Sequence, residues 1–128
     1  MELDDIRRKA AAARQFTHEV GGASFTLRAP TKIESSVLYT RVAVVDGGSD
    51  RAAMIRWQRA MLLQAIVGWS GVMLRHVLPD ADGSVMAFEP GAAEVLLDAQ
   101  PDWEESLTAA LLDHLAKRRA VEDTAAKN

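Results

Sequence analysis

Apolar residues along this chain recur at two different spacings, and the spacings predict its elements. Residues 2–15 carry Leu3, Ile6, Ala10 and Ala13 at helical intervals, with alanines of high helix propensity among them. Only two of those four positions are large, which predicts a helix with little to anchor it. Phe16–Val20 and Ser24–Arg28 are strand-like instead: Phe25 and Leu27 point one way, while Ser24, Thr26 and Arg28 point the other. Gly21-Gly22 tolerates the positive φ angles of a tight turn. The spacing therefore predicts a β-hairpin near residues 16–28, packed on a helix because two strands alone are marginal in water.

Pro30-Thr31-Lys32-Ile33-Glu34 reads as a helix start, in which Thr31 accepts a backbone N–H and Glu34 reaches back. Ile33, Val37, Thr40 and Val44 then share one stripe. Val42-Ala43-Val44-Val45 would suit a strand on propensity alone, but the cap favours a helix, which Asp46-Gly47-Gly48-Ser49 ends. Arg51–Trp69 is expected to be the central helix. Ile55, Leu62, Ile66 and Trp69 form its stripe, flanked by Met54, Met61 and Ala65, and its second half is apolar nearly all round. Its polar residues, among them Arg51, Arg56 and Arg59, scatter around the first half, and Gly68 and Gly71 bracket the exit.

Val72–Leu78 reads as an extended arm or a helical turn, and Asp80-Ala81-Asp82-Gly83-Ser84 as a loop. Pro90 takes a first helical position before a short helix holding Ala93, Leu96 and Leu97, which Pro101 stops. Asp102 caps the last helix, whose Trp103, Leu107, Leu111 and Leu115 fall on one face and whose Lys117-Arg118-Arg119 lie towards the negative end. The expected fold is mainly α with a small N-terminal β-hairpin, an α+β domain of about four to five helices over residues 1–119. Residues 120–128 lack apolar periodicity and are expected to form a flexible tail.

Composition agrees with a folded domain: 128 residues, 48% apolar and 26% charged. The absence of cysteine excludes disulfides and thiolate metal sites. The acidic Met1–Asp5 has no apolar signal-peptide core, and Ala60–Val67 is far shorter than the roughly 20 residues a bilayer span needs. A soluble, cytoplasmic protein is expected. The net charge of −3 weighs against nucleic acid as the main partner. Charge is unevenly spread, with 11 Lys/Arg against 7 Asp/Glu through His76 and 4 against 11 thereafter. Such polarity is either neutralised within the fold or matched head to tail between copies.

Candidate chemistry is sparse. His18, His76 and His114 stand in three elements, without the i, i+4 spacing of a helical zinc pair. The Asp80–Ser84 run misplaces the glycine of a calcium loop and has Gly91 where a bidentate glutamate is needed. Gly68-Trp69-Ser70-Gly71 lacks the second spacer of a nucleophile elbow, and Gly47-Gly48 lacks the lysine of a phosphate cradle. Glu104 and Glu105 diverge around their helix. Arg51, Arg56 and Arg59, like Lys117–Arg119, come without interleaved aromatics for base stacking. No catalytic, cofactor or metal site is expected. Trp57, Trp69, Trp103 and Met61 are the candidate partner-binding residues, because tryptophan dominates interface hot spots and methionine suits adaptable surfaces. Core packing is the competing role for at least two of the tryptophans.

The order of parts resembles one family. A strand-like Ser24–Arg28 leads into Pro30-Thr31 and a helix with Glu34. A second apolar helix closes on Val67-Gly68-Trp69-Ser70-Gly71-Val72, and after an Asp/Gly loop come Phe88, a small helix and Asp98-Ala99-Gln100-Pro101-Asp102-Trp103. Over residues 23–119 this looks like the short, non-frameshifted tail assembly chaperone of long-tailed bacteriophages. The resemblance implies a non-catalytic protein that binds the tape measure protein and tail tube subunits, keeping them soluble until the tube polymerises. It also implies self-association as a homo-oligomer, action in the host cytoplasm, absence from the mature virion, and often a longer frameshifted form. Lys127-Asn128 is compatible with the A-rich codons such a frameshift uses. Apolar grooves between helices would suit a helical client. The alternatives are a structural tail or head–tail component kept in the virion, and a helical DNA-binding regulator.

Overall fold

Two glycines turn the chain first. In a computed structural model describing residues 1–43 and 50–127, β1 (Gln15–Val20) and β2 (Ala23–Arg28) pair antiparallel with Val20 opposite Ala23. Gly21 and Gly22 have φ of 60° and 83°, the double positive φ of a type I′ turn, whose twist matches that of the strands. β2 buries Ala23, Phe25 and Leu27 and turns Ser24, Thr26 and Arg28 to the other face. The alternation in the sequence is reproduced in the burial.

A third strand then joins the hairpin. The helix α3 (Asp50–Ala65) runs without a loop into β3 (Ile66–Ser70), which pairs antiparallel with β2 to give the order β1-β2-β3. The helix expected over Arg51–Trp69 therefore ends at Ala65. Ile66 and Val67 are β-branched and strand-prone, and the free edge of β2 offers a row of unpaired backbone groups. That long-range pairing wins over the local helical pattern. Thr26 pairs with Gly68 while Leu27 pairs with Ile66, so Val67 is the extra residue of a β-bulge. Gly71 leaves the strand at φ 76°, where a Cβ would stand 2.9 Å from the Gly22 carbonyl oxygen.

α1 (Leu3–Ala13) buries none of its residues. α2 (Lys32–Ala43) opens with the expected capping box: the Thr31 N–H donates to Glu34 Oε1 at 3.0 Å and the Glu34 N–H donates to Thr31 Oγ1 at 3.1 Å. The described part of the stripe, Ile33, Val37 and Thr40, faces out. Ile33 is 76% exposed and Val37 and Thr40 are exposed as well, while Leu38 packs on the core. Glu34 supplies the reason, because it also pairs with Arg14 at 3.7 Å and Arg28 at 3.6 Å. Those contacts turn its side of α2, which Leu38 shares one turn later, towards the sheet. Val44, Val45 and the expected turn at Asp46–Ser49 lie outside the described residues.

Beyond β3, the helical turn is the alternative that forms, as a 3₁₀ turn (Leu74–His76), and the Met73 N–H donates to His76 Nδ1 at 2.9 Å. The Asp80–Ser84 loop is held by Asp82, whose Oδ1 accepts the Ser84 N–H at 2.9 Å. α4 (Ala92–Ala99) starts after Gly91 at φ 86°, so Pro90 lies before the helix and not at its first position. Pro101 is the residue that fills that role, opening α5 (Pro101–Lys127). The Gln100 carbonyl accepts the N–H groups of Trp103 and Glu104, each at 3.1 Å. Asp102 is consequently not the cap but a first-turn carboxylate near the helix's positive end.

α5 does not stop near residue 119. Residues 120–127, expected as a tail, continue the helix with exposed side chains through residue 126. Alanine, lysine and glutamate there have the propensity for helix without the periodicity for burial. Lys117–Arg119 thus lie inside the helix, with Lys117 paired to Asp113 at 2.9 Å and Arg118 Nη1 reaching the Ala13 carbonyl at 3.5 Å.

Phe25 and Leu27 from the sheet, Met61 and Leu62 from α3, Leu96 and Leu97 from α4, and Trp103, Leu107 and Leu111 from α5 share one buried cluster. β1 lies along α5, where Phe16 stacks on His114 at 4.2 Å and His18 Nε2 meets Ser106 Oγ at 2.9 Å. The architecture is α+β: five helices and a small three-stranded antiparallel sheet among the described residues.

Candidate docking groove

One arginine ties three helices into a corner. From α3, Arg59 bonds both oxygens of Glu104 on α5, the Nη2–Oε1 contact measuring 3.0 Å, and its Nη1 donates to Asp98 Oδ1 on α4 at 2.8 Å. A two-toothed guanidinium–carboxylate contact fixes geometry as well as charge. The Glu104 hydrogen bonds hold Arg59 above its ordinary pKa, with Asp98 adding and burial opposing. Arg59 was expected on a scattered polar surface; it is instead the clamp at one end of a groove.

That groove runs between α3 and α5 and encloses about 590 Å³. Its α3 wall carries Ile55, Arg56, Gln58 and Arg59, and its α5 wall carries Pro101, Glu105, Thr108, Ala109 and Leu112. Ile55 is 58% exposed and Leu112 is 38% exposed. Covering two such half-exposed aliphatic side chains is worth roughly 1–2 kcal/mol each. Arg56 differs from Arg59 in having no anion: its Nε and Nη2 are enclosed without a hydrogen-bond partner. Glu105 is exposed and joins no ion pair among the described residues. The lining is therefore mostly apolar, with an enclosed, unpaired Arg56 guanidinium edge and an exposed Glu105 carboxylate.

The four candidate partner-binding residues separate. Met61 and Trp103 are buried in the core, Trp103 edge-on to Phe25 at 6.0 Å and close over His76 at 4.7 Å. Trp69 is half-buried on the inner face of β3, edge-on to Phe25 and Phe88, with its N–H donated to the Met86 carbonyl at 2.8 Å. Trp57 is half-buried beside Tyr39 of α2, at 5.7 Å, and its enclosed Nε1 has no partner. None of the four lines the groove. Its apolar residues were missed because Leu112 falls off the Trp103–Leu107–Leu111 face and Ile55 sits within a stripe read as core. The signal available was Leu112 itself, apolar beside an already complete face.

The three histidines are dispersed over β1, the 3₁₀ turn and α5. Burial pushes the His114 imidazole below its ordinary pKa, Arg118 adds to this, and Asp113 opposes it. Among the described residues no three histidine or carboxylate side chains gather where they could hold a metal, and no helix is long and apolar enough to cross a membrane. Compared with known proteins, the chain matches no family model, no curated protein and no solved structure.

Proposed function

We propose that this chain is a non-catalytic chaperone of phage tail assembly, binding the tape measure protein and tail tube subunits in the host cytoplasm until the tube polymerises. The observation that carries the reading is the open, apolar groove between α3 and α5, with Ile55 and Leu112 exposed on its two walls. A groove of that kind takes the apolar face of an amphipathic helix. A tape measure protein, long and helical, exposes such faces before its tube surrounds it. The order of parts over residues 23–119 supports the same reading.

The test is co-expression with the tape measure protein of the same phage. Co-purification is expected, and Ile55→Asp is expected to weaken it more than ten-fold, because a carboxylate is placed where a client's apolar face would lie. Failure of the wild-type pair to associate would refute the reading. A virion component is the competing assignment. Mass spectrometry of purified particles separates the two, since a chaperone is absent from the finished tail.

A further inference from the structure

β1 is the open edge of the sheet. In a two-residue hairpin the pair flanking the turn, here Val20 and Ala23, exchanges backbone hydrogen bonds, and the pattern alternates from there. Phe16, His18 and Val20 therefore bond to β2, while the N–H and C=O groups of Gln15, Thr17 and Glu19 point away from it. Among the described residues those outward groups have no backbone partner, and all three residues are exposed. Natural sheets guard such an edge with lysine, proline or a bulge. β1 carries no lysine and no proline, and it pairs with β2 without a break in register. The opposite edge is guarded. β3 has its bulge at Val67, and the chain beyond it folds back, with Met73 bridging Val85 and the Trp69 indole held by the Met86 carbonyl.

A flank of α5 runs alongside this edge. Trp103, Leu107 and Leu111 share the core with Phe25 and Leu27 of β2, and Ser106 and His114 meet His18 and Phe16 of β1. Helical spacing puts Asp102 and Asp113 on one stripe with Ser106, and both are exposed. The track between β1 and that stripe is therefore acidic. Glu19 and Asp102 join no ion pair among the described residues. Asp113 has an exposed pair with Lys117, which a competing cation readily exchanges. We propose that this edge receives an extended, basic segment of another protein, which adds a strand beside β1 and along α5. The unpaired backbone groups require a strand, because an extended backbone supplies donors and acceptors at the matching spacing. The carboxylates require lysine or arginine: a cation across from Glu19 meets it directly, and one near the turn reaches Asp102. A second β1 does not meet that requirement, since Gln15, Thr17 and Glu19 include no cation.

This site is separate from the α3–α5 groove and does not depend on the function proposed above. Amide hydrogen exchange of the full chain, read residue by residue by NMR, tests it with a short, end-blocked peptide of alternating threonine and lysine. Saturable binding is expected, with exchange at the Thr17 and Glu19 amides slowed by about ten-fold or more. Putting glutamate for lysine in the peptide, or methylating its backbone nitrogens throughout, should each weaken binding by more than about ten-fold. The second change keeps the charge and so isolates the backbone pairing. In the protein, Thr17→Pro removes an outward donor without breaking a bond to β2 and should weaken binding as much. Glu19→Lys should weaken it about three-fold or more. Circular dichroism checks folding; if Thr17→Pro does not fold, the methylated peptide on the wild-type chain decides. No binding, protection away from β1, or tolerance of backbone methylation would each overturn the proposal. So would protection of Thr17 and Glu19 by rising protein concentration alone, which would give the edge to a second copy. A chain that takes the peptide but not the tape measure protein would refute only the proposed function, and the converse result only this site.

Discussion

Gly21 lies directly beneath the indole of Trp103, and replacing it tests how the hairpin is seated on α5. A Cβ built on Gly21 would stand 2.8 Å from Trp103 Nε1 and closer still to two ring carbons. The residue also has φ +60°, a left-handed conformation that costs a non-glycine residue about 1–2 kcal/mol. Forcing a methyl against a buried ring adds about 1–3 kcal/mol, so Gly21→Ala should lose about 2–5 kcal/mol. Gly22 is the internal control: its φ is +83° but a Cβ there meets nothing within 4 Å. Gly22→Ala should carry only the backbone share. The assay is urea unfolding followed by far-UV circular dichroism, with the difference between the two variants giving the cost of the Trp103 contact. Trp103→Leu in the Gly21→Ala background should be less damaging than Trp103→Leu alone, since the two changes share one contact. Equal losses for Gly21→Ala and Gly22→Ala would refute the seating of the turn on Trp103.

Three further outcomes follow from the packing and the titratable groups. Leu111→Ala should cost about 2–5 kcal/mol while its neighbour Leu112→Ala costs well under that, because only Leu111 is fully enclosed; paired denaturation curves check it. The Thr31 N–H, first, then the Thr31 hydroxyl and the charges of Arg28 and Arg14, lower the Glu34 pKa from its ordinary 4.5 against the opposing effect of burial. The stability this supplies is therefore complete above about pH 4.5 and is lost as pH falls through the lower folded value; Glu34→Gln should remove that part of the acid sensitivity. His114, with a pKa lowered from 6.5, is held neutral by the fold, so its contribution is full above pH 6.5 and falls as pH drops towards the folded value. His114→Phe keeps a ring against Phe16 and should flatten the stability profile below pH 6.5, read by thermal unfolding across pH.

Where a few neighbouring residues decide the outcome, local chemistry was enough. The Thr31–Glu34 capping box, the Gly21-Gly22 turn and the inward set Phe25 and Leu27 each depend on contacts a handful of residues apart. The same holds for the face Trp103, Leu107 and Leu111, whose spacing matches a helix that must cover a sheet. The groove was not legible in that way. Ile55 and Leu112 line one groove because α3 and α5 pack side by side through the shared core and the Arg59 contacts to Glu104 and Asp98, residues far along the chain.

The sequence by itself determined the hairpin, the middle of each helix, where α2 begins, and which side of β2 faces the core. Periodicity and capping act over one or two turns, and no tertiary partner is needed to express them. Only the tertiary structure decided that Ile66–Ser70 leaves the helix for the edge of β2, and that Ile33 and Val37 face solvent. It also decided that α3 and α5 part to leave a groove. The physical reason is that an apolar residue announces a need for cover without saying what will cover it. A free strand edge, an ion pair to Glu34 or a clamp through Arg59 supplies that answer from elsewhere in the chain.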